Sequence, residues 1–357
     1  MKPFRIHVAN DVLDDLRARL RHTRWPDQVP GIGWEQGTEL DWLRRLVSYW
    51  AREFDWRAWE RKLNAFNHFT WQGIHFVYQR AASGRGVPLI LTHGWPSSFL
   101  DYVHMLPMLQ DFDVVVPSLP GYGFSPRPLE VVGINYRYIS ERWHRLMTEL
   151  GYSRYGAGGG DFGAGVSTFL ALDHPESVIG IHLTTPELTP NVNDAELSDG
   201  ERSYLAVRRG WDATERGYSA IQSTKPQTVG YGLNDSPAGL AAYLGEKWHS
   251  WSDVTPPDDF LCATFTLYWV TQTITSSMRD YWDNRRYPVD PTYIGTPTAF
   301  GVFAHETVPE GEPPRSYMER LYNIQRWTVF PRGGHFAPAE EPAAVAGDLT
   351  SFFRDLR

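Results

Sequence analysis

The stretch GAGGGDFGAG, residues 156–165, sets one carboxylate among glycines and fits two chemistries. Through Gly158, Gly160 and Gly163 it matches G-x-G-x-x-G, a loop that lays a dinucleotide pyrophosphate on a helix N-terminus. Through Gly159, Asp161 and Gly163 it matches G-x-Nuc-x-G, a sharp strand-to-helix turn that presents a nucleophile, with Asp161 where serine is usual. A dinucleotide loop belongs after the first strand of its domain, with a ribose-binding acid about 20 residues on. Here at least two strand–helix units come first, and HLTTPE, at the right distance, is expected to set no acid at the end of a strand. The nucleophile turn is therefore preferred over the dinucleotide loop and over an incidental aspartate in a glycine-rich turn.

A nucleophile of this kind needs an acid and then a histidine further along the chain. PRGGHFAPAEEP places His335 in a glycine loop after the last expected strand, and GVFAHETVP places Glu306 after the strand before it. Glu310 and Glu312 are rivals for the acid, each further from that strand. THGWPSS follows the apolar run VPLIL directly. Backbone N–H groups of Trp95 and of Phe162, just past the nucleophile, would there face a developing oxyanion. His305 is expected in a surface loop and His93 in the scaffold of its loop. The twelve histidines contain no H-E-x-x-H, and the lone Cys262 excludes a cysteine cluster or an internal disulfide, so no metal or cofactor is expected.

These groups require a frame of alternating strands and helices. NDVLDDLRARL puts Val12, Leu13, Leu16 and Leu20 on one face, with Asn10 as the expected N-cap, and ELDWLRRLVSYW does the same with Leu40, Leu43, Leu46 and Val47. Strands are expected in HFTWQGIHFVYQ, VPLILT, FDVVVPSL, SRYGAGG and SVIGIHLTT. Helices are expected near Ser97–Leu109, near Tyr136–Leu150 and after Asp161. From Val87 this alternation predicts an α/β fold with a mostly parallel, doubly wound sheet. Residues 187–290 interrupt it with helical segments, including one long run, DDFLCATFTLYWVTQTITSSMRDYW. Strands return at PTAFGVFAH and RWTVF, and a last helix covers PAAVAGDLTSFFRDL.

The 357 residues are 42% hydrophobic and 14% aromatic, enough for a large core, and the net charge of -8 argues against nucleic acid or an anionic membrane as partner. No run approaches the ~18 apolar residues of a spanning helix and the N-terminus lacks a signal-peptide stretch, so a cytoplasmic chain is expected.

HGWP, GGDFG, IQSTKPQTVGYGLNDSPAGLAAY and RGGHFAPAEEP together resemble the epoxide hydrolases of microsomal type, a branch of the α/β-hydrolase fold with an N-terminal meander. The resemblance spans nearly the whole chain and points to a soluble, actinobacterial-like member, the membrane anchor of mammalian members having no counterpart here. It implies a meander over 1–70, core over 71–186 and 291–357, and an inserted helical cap over 187–290. It further implies that Tyr218 and Tyr281, from RGYSAIQSTKP and MRDYWDN, form the pair of phenols that assists ring opening. Phe162 departs from the family's usual Trp, but only its backbone N–H is required.

Under this resemblance the aspartate has a reason. Serine attacking an epoxide carbon would leave an ether, which water does not readily cleave, whereas a carboxylate leaves an ester. A carboxylate is also ionised at neutral pH, its reference pKa being about 4, so attack needs no base. His335 is then free to activate water, oriented by Glu306. The expected partners are a small-molecule epoxide and water, with a homodimer left open. Aromatic richness points to a bulky or aryl-substituted epoxide, and 30 Arg against 4 Lys to a GC-rich genome, with natural-product (antibiotic) biosynthesis as a fitting context. Two other readings stay open: a haloalkane or haloacid dehalogenase built on the same aspartate, and a non-catalytic binding protein.

Overall fold

The computed structural model describes residues 1–356. Strand β1 (Lys2–Phe4) leads into helices α1 (Asn10–Arg21), α2 (Leu40–Arg52) and α3 (Trp56–Leu63). In α1 the buried side chains are Leu13, Leu16 and Leu20, spaced to share one face, while Val12 is half-buried. Asn10 does not cap this helix. It stands inside the first turn, after Ala9, and its carboxamide oxygen accepts from the Arg57 guanidinium, which leaves it nothing to offer the helix N-terminus. Glu39 and Asp55 do cap α2 and α3.

Strands β2 (His68–Trp71) and β3 (Ile74–Gln79) form a hairpin closed by Gln72 and Gly73, both at positive φ (47° and 81°). This is the two-residue turn whose twist matches that of antiparallel strands. The alternating part follows with β4 (Val87–Thr92), β5 (Phe112–Pro117), α4 (Tyr136–Glu149), β6 (Tyr155–Asp161), α5 (Phe162–Asp173) and β7 (Val178–Pro186). Between β4 and β5 the expected helix is replaced by two short 3-10 turns, Phe99–Tyr102 and Leu106–Met108. Pro107 explains the difference, because it lacks the N–H for a bond to Val103 and its ring would crowd that carbonyl.

Six helices separate β7 from the next strand: α6 (Asp199–Glu215), α7 (Gly217–Gln222), α8 (Pro226–Asp235), α9 (Pro237–Ser250), α10 (Asp258–Thr271) and α11 (Ile274–Arg286). The long run read as one helix breaks between α10 and α11 at Gln272, whose φ is 54°. Its N–H and that of Thr273 fold back onto the carbonyls of Trp269 and Tyr268, each at 3.1 Å. The β-branched cluster Val270, Thr271, Thr273, Ile274 and Thr275 weakens helix continuation there. The chain closes with β8 (Ile294–Phe303), α12 (Arg315–Met318), β9 (Tyr322–Phe330), α13 (Ala337–Glu340) and α14 (Pro342–Arg354).

The nine strands form one sheet in the order β1-β2-β3-β5-β4-β6-β7-β8-β9. Pairings from β1 to β5 are antiparallel and those from β5 through β4 to β9 are parallel. Gly156 of β6 lies against Phe353 of α14, whereas Gly159 lies against Gly163 of α5, so helices cover opposite faces of the sheet. That double cover is why β5 is buried at every residue and, apart from Asp113, which accepts from Ala81 N–H and Tyr152 OH, is apolar rather than alternating.

The N-terminal helices pack on the inserted ones. Trp50 Nε1 donates to Thr266 Oγ1 at 2.9 Å, Trp59 Nε1 to Asp259 Oδ2 at 2.8 Å, and Thr38 Oγ1 to the Ala242 carbonyl at 2.6 Å. The first 63 residues thereby brace α9 and α10 from outside. No helix among the described residues is long and apolar enough to cross a membrane.

Candidate active site

Asp161 ends β6 and begins the turn into α5 with φ 53° and ψ -131°. A non-glycine residue in this region carries of order 1–3 kcal/mol of backbone strain, which the surrounding structure must hold. The neighbours show how it is held. A Cβ on Gly159 or Gly163 would stand 2.3 Å or 2.0 Å from the Thr92 carbonyl oxygen, so only glycine lets α5 press this close to β4. A Cβ on Gly94 would stand 2.4 Å from Asp161 Oδ1, so glycine is equally required where the HGWP loop meets the carboxylate.

The two carboxylate oxygens have different surroundings. Oδ1 accepts from the backbone N–H of Trp95 at 2.9 Å and of Phe162 at 2.7 Å. Oδ2 lies 3.7 Å from His335 Nε2. The Trp95–Pro96 peptide in this loop is cis, as an X–Pro bond in a tight functional loop can be.

His335 follows β9 in the loop before α13, and its own N–H donates to the Trp251 carbonyl at 2.9 Å. Its Nδ1 meets Glu306 Oε2 at 3.2 Å, which turns Nε2 toward Asp161. Glu306 follows β8 and is itself held, accepting from Thr185 Oγ1 at 3.1 Å and from Val308 N–H at 2.9 Å. Burial opposes a charge on His335, but Glu306 and then Asp161 outweigh it and hold the pKa up at about 10. The imidazole is therefore charged while both carboxylates are.

The other candidates lie elsewhere. Glu310 is buried and paired with Arg208 and Arg216, and Glu312 is not bonded to His335. His305 has a side chain 54% exposed. His93 is buried in its loop, with Nδ1 at the Gly94 carbonyl and Nε2 accepting from Leu119 N–H, and burial pushes its pKa down to about 4.

From the inserted helices, Tyr218 of α7 and Tyr281 of α11 close over the loop. The Tyr218 ring stacks 5.5 Å from Trp95, and the Tyr281 ring stands edge-on to Trp95 at 5.7 Å and to Phe162 at 4.9 Å. The two phenols are 5.9 Å apart, centre to centre. Burial first, then the Asp161 charge among others, pushes both hydroxyls above the ordinary phenol range, so each stays a proton donor.

Several neighbours were not foreseen. Glu187 directly follows β7, so an acid does stand at the end of that strand, but its carboxylate accepts from Tyr136 OH at 3.0 Å. Burial and then Asp161 push it up to about 7. Its strand comes after β6, deep in the sheet order, and no dinucleotide loop is formed. Arg127 is buried and bonded to Asp280 and Asp283, which flank Tyr281 in α11. Thr185 and Trp251 support Glu306 and His335. In the sequence, Thr184 and Thr185 are indistinguishable from ordinary strand threonines, and Arg127 from any loop arginine.

Among the described residues no group of His, Cys, Asp and Glu has the arrangement of a metal site. Residues 1–102 match the family described as Epoxide hydrolase N terminus, and residues 87–342 match alpha/beta hydrolase fold. A Stigmatella aurantiaca protein described as "Putative epoxide hydrolase" is 38% identical, over 99% of this chain and 85% of its own length. Epoxide hydrolase 1 of Sus scrofa is 32% identical, over 99% of this chain and 88% of its own. The crystal structure of juvenile hormone epoxide hydrolase from Bombyx mori superposes with a TM-score of 0.91 at 29% identity, covering 100% of this chain and 94% of that one. With an Asp-centred turn in a nine-stranded α/β sheet, and relatives matched from end to end, this chain belongs to the microsomal-type epoxide hydrolase family of the α/β-hydrolase fold.

Proposed function

We propose that the chain hydrolyses an epoxide to a vicinal diol through an ester on Asp161. The observation that carries this is the division of labour between its oxygens. Trp95 and Phe162 N–H groups both close on Oδ1, which leaves Oδ2 to attack a carbon placed under the two cap phenols. In the first step the Oδ2–carbon bond forms, the ring C–O bond breaks, and Tyr218 or Tyr281 gives its proton to the departing oxygen. Esterification removes the Asp161 charge, which lowers the affinity of His335 for its proton. That proton passes to the tyrosinate, restoring the phenol and leaving a neutral imidazole to act as a base. In the second step His335 takes a proton from water, and the oxygen bonds to the Asp161 carbonyl carbon. Oδ1 becomes the oxyanion, held by the same two N–H groups.

Collapse breaks the bond to Oδ2, which leaves with the diol and takes the proton back from His335. The carboxylic acid that remains ionises and returns its proton to His335, which restores the resting site. One turnover in heavy-oxygen water should therefore label the enzyme and leave the diol unlabelled. His335→Gln should accumulate a species of mass enzyme plus epoxide. Label in the first-turnover diol, with no adduct, would mean direct attack by water.

On this reading residues 1–70 are a meander that braces a cap over 187–290, and the aromatic wall suits a bulky or aryl-substituted epoxide. A cytoplasmic enzyme, monomeric or homodimeric, working in natural-product biosynthesis is the matching context. A dehalogenase reading has one observation in its favour: Trp95 Nε1 is buried without a protein partner and is a ready halide donor. Chloride release measured beside diol formation decides between them.

A further inference from the structure

Asp161 also lines a cavity of about 20 Å³ that neither cap phenol lines, shared with His335, Asp101, Thr184, Ser97 and Gly160. A single water needs roughly 10–15 Å³ and two to four polar partners. The walls supply them. Asp101 Oδ1 and Thr184 Oγ1 are both buried and have no protein hydrogen-bond partner, although their residues are only 4% and 5% exposed. Leaving two such atoms unpaired on the walls of one small chamber costs free energy unless something polar is bound there.

Two neighbouring groups are engaged elsewhere. The Ser97 carbonyl accepts from Tyr268 OH at 2.9 Å, and Thr185, the next residue along β7, is turned to Glu306. Gly160 keeps the chamber open, since a Cβ there would stand 2.4 Å from Thr184 Oγ1. Burial pushes the Asp101 carboxyl up to about 7, against the pull of Ser97, Ser98 and His335.

We propose that this chamber holds the water that hydrolyses the Asp161 ester, and that Asp101 and Thr184 are the residues that orient it. The inference rests on the ester reading given above. Asp101 accepts one hydrogen of the water and Thr184 holds its oxygen, so that the other hydrogen faces His335 Nε2 and a lone pair faces the ester carbonyl. Asp101 keeps its own protonation state throughout. The water oxygen bonds to the ester carbon, its proton goes to His335 and then to the diol oxygen, and the bond to Oδ2 breaks.

Asp101→Asn and Thr184→Val retain side-chain shape while replacing a carboxylate oxygen by an NH2 donor and removing the hydroxyl, and styrene oxide serves as the probe epoxide. In rapid-quench measurements with mass detection, ring opening should match the parent enzyme. Ester hydrolysis should slow about 10- to 100-fold, the scale of a misplaced reactant, so that the adduct becomes visible. Thr184→Ser should restore the hydrolysis rate. If Asp101→Asn lowers Tm, Thr184→Val decides alone. Unchanged hydrolysis, or equal slowing of both steps, overturns the assignment. His335→Gln runs in parallel: an adduct there with unchanged hydrolysis in the Asp101 and Thr184 variants sinks the water site only, whereas no adduct there sinks the ester reading itself.

Discussion

The two walls of the site are built by different physics. On the core side, Asp161, Glu306 and His335 hang from loops at the ends of parallel strands and are fixed by hydrogen bonds of 2.7–3.2 Å. On the cap side, Tyr218 and Tyr281 have no such bonds to the triad and are placed by ring packing on Trp95 and Phe162. Behind Tyr281, α11 is clamped by buried Arg127 between Asp280 and Asp283. A strand end is rigid because its neighbours share a ladder with it. A helix laid across the sheet must be pinned by side chains. The comparison teaches that the hydrolytic step depends on backbone placement and the ring-opening step on packing, so lesions on the two sides should separate the steps.

The largest break in that pattern should come from Asp161→Ala, which both steps share. It should lower turnover by ~10⁴-fold or more, as loss of a nucleophile does, with no adduct by mass. Next in size, Tyr218→Phe combined with Tyr281→Phe should slow ring opening by roughly 10²–10⁴-fold, the range for a lost general acid, while either alone is milder. Single-turnover rates with the double variant check this, and retention of most activity would place the proton donors elsewhere.

Arg127→Met tests the clamp. It leaves Asp280 and Asp283 buried without their counter-charge, a loss on the order of 3–5 kcal/mol of stability, and Tyr281 should lose its place. Lower Tm together with slower ring opening, but unaltered hydrolysis of ester already formed, would sharpen the contrast. A loss confined to hydrolysis would reverse it. Glu306→Gln, on the core side, should instead slow hydrolysis by about 10- to 100-fold through a misoriented imidazole and spare ring opening.

A last contrast concerns pH. His335 in the folded protein holds its proton up to about 10, against an unfolded value near 6.5. The native state therefore binds more protons in this window, and stability from this group is complete below ~6.5 and lost as pH rises through about 10. Calorimetry between these limits should show Tm falling, and Glu306→Gln should flatten the fall.

How much of this was legible beforehand depended on distance along the chain. The turn at Asp161 could be read because its glycines, carboxylate and flanking strand and helix lie within a few residues, and local sterics dictate the type of each. The alternation of strands and helices was legible for the same reason, through hydrophobic period. The phenols were not: Tyr218 and Tyr281 are 63 residues apart, and among 18 tyrosines only the family resemblance singled them out.

The sequence by itself determined that a carboxylate sits in a strained strand-to-helix turn, that an acid and a histidine follow in that order, and that helices interrupt the sheet between them. Only the tertiary structure decided which acid meets His335. Glu310 is spent on Arg208 and Arg216, while Glu306 alone is placed beside Nδ1. It also decided that Pro107 and Gln272 break two expected helices, that Glu187 turns to Tyr136, and that Asp101 and Thr184 share a chamber with Asp161. Periodicity reports which face of its own element a residue occupies. Which element that face meets, and whether a polar atom finds a partner there, is set by contacts between residues far apart in the chain, and those leave no period to read.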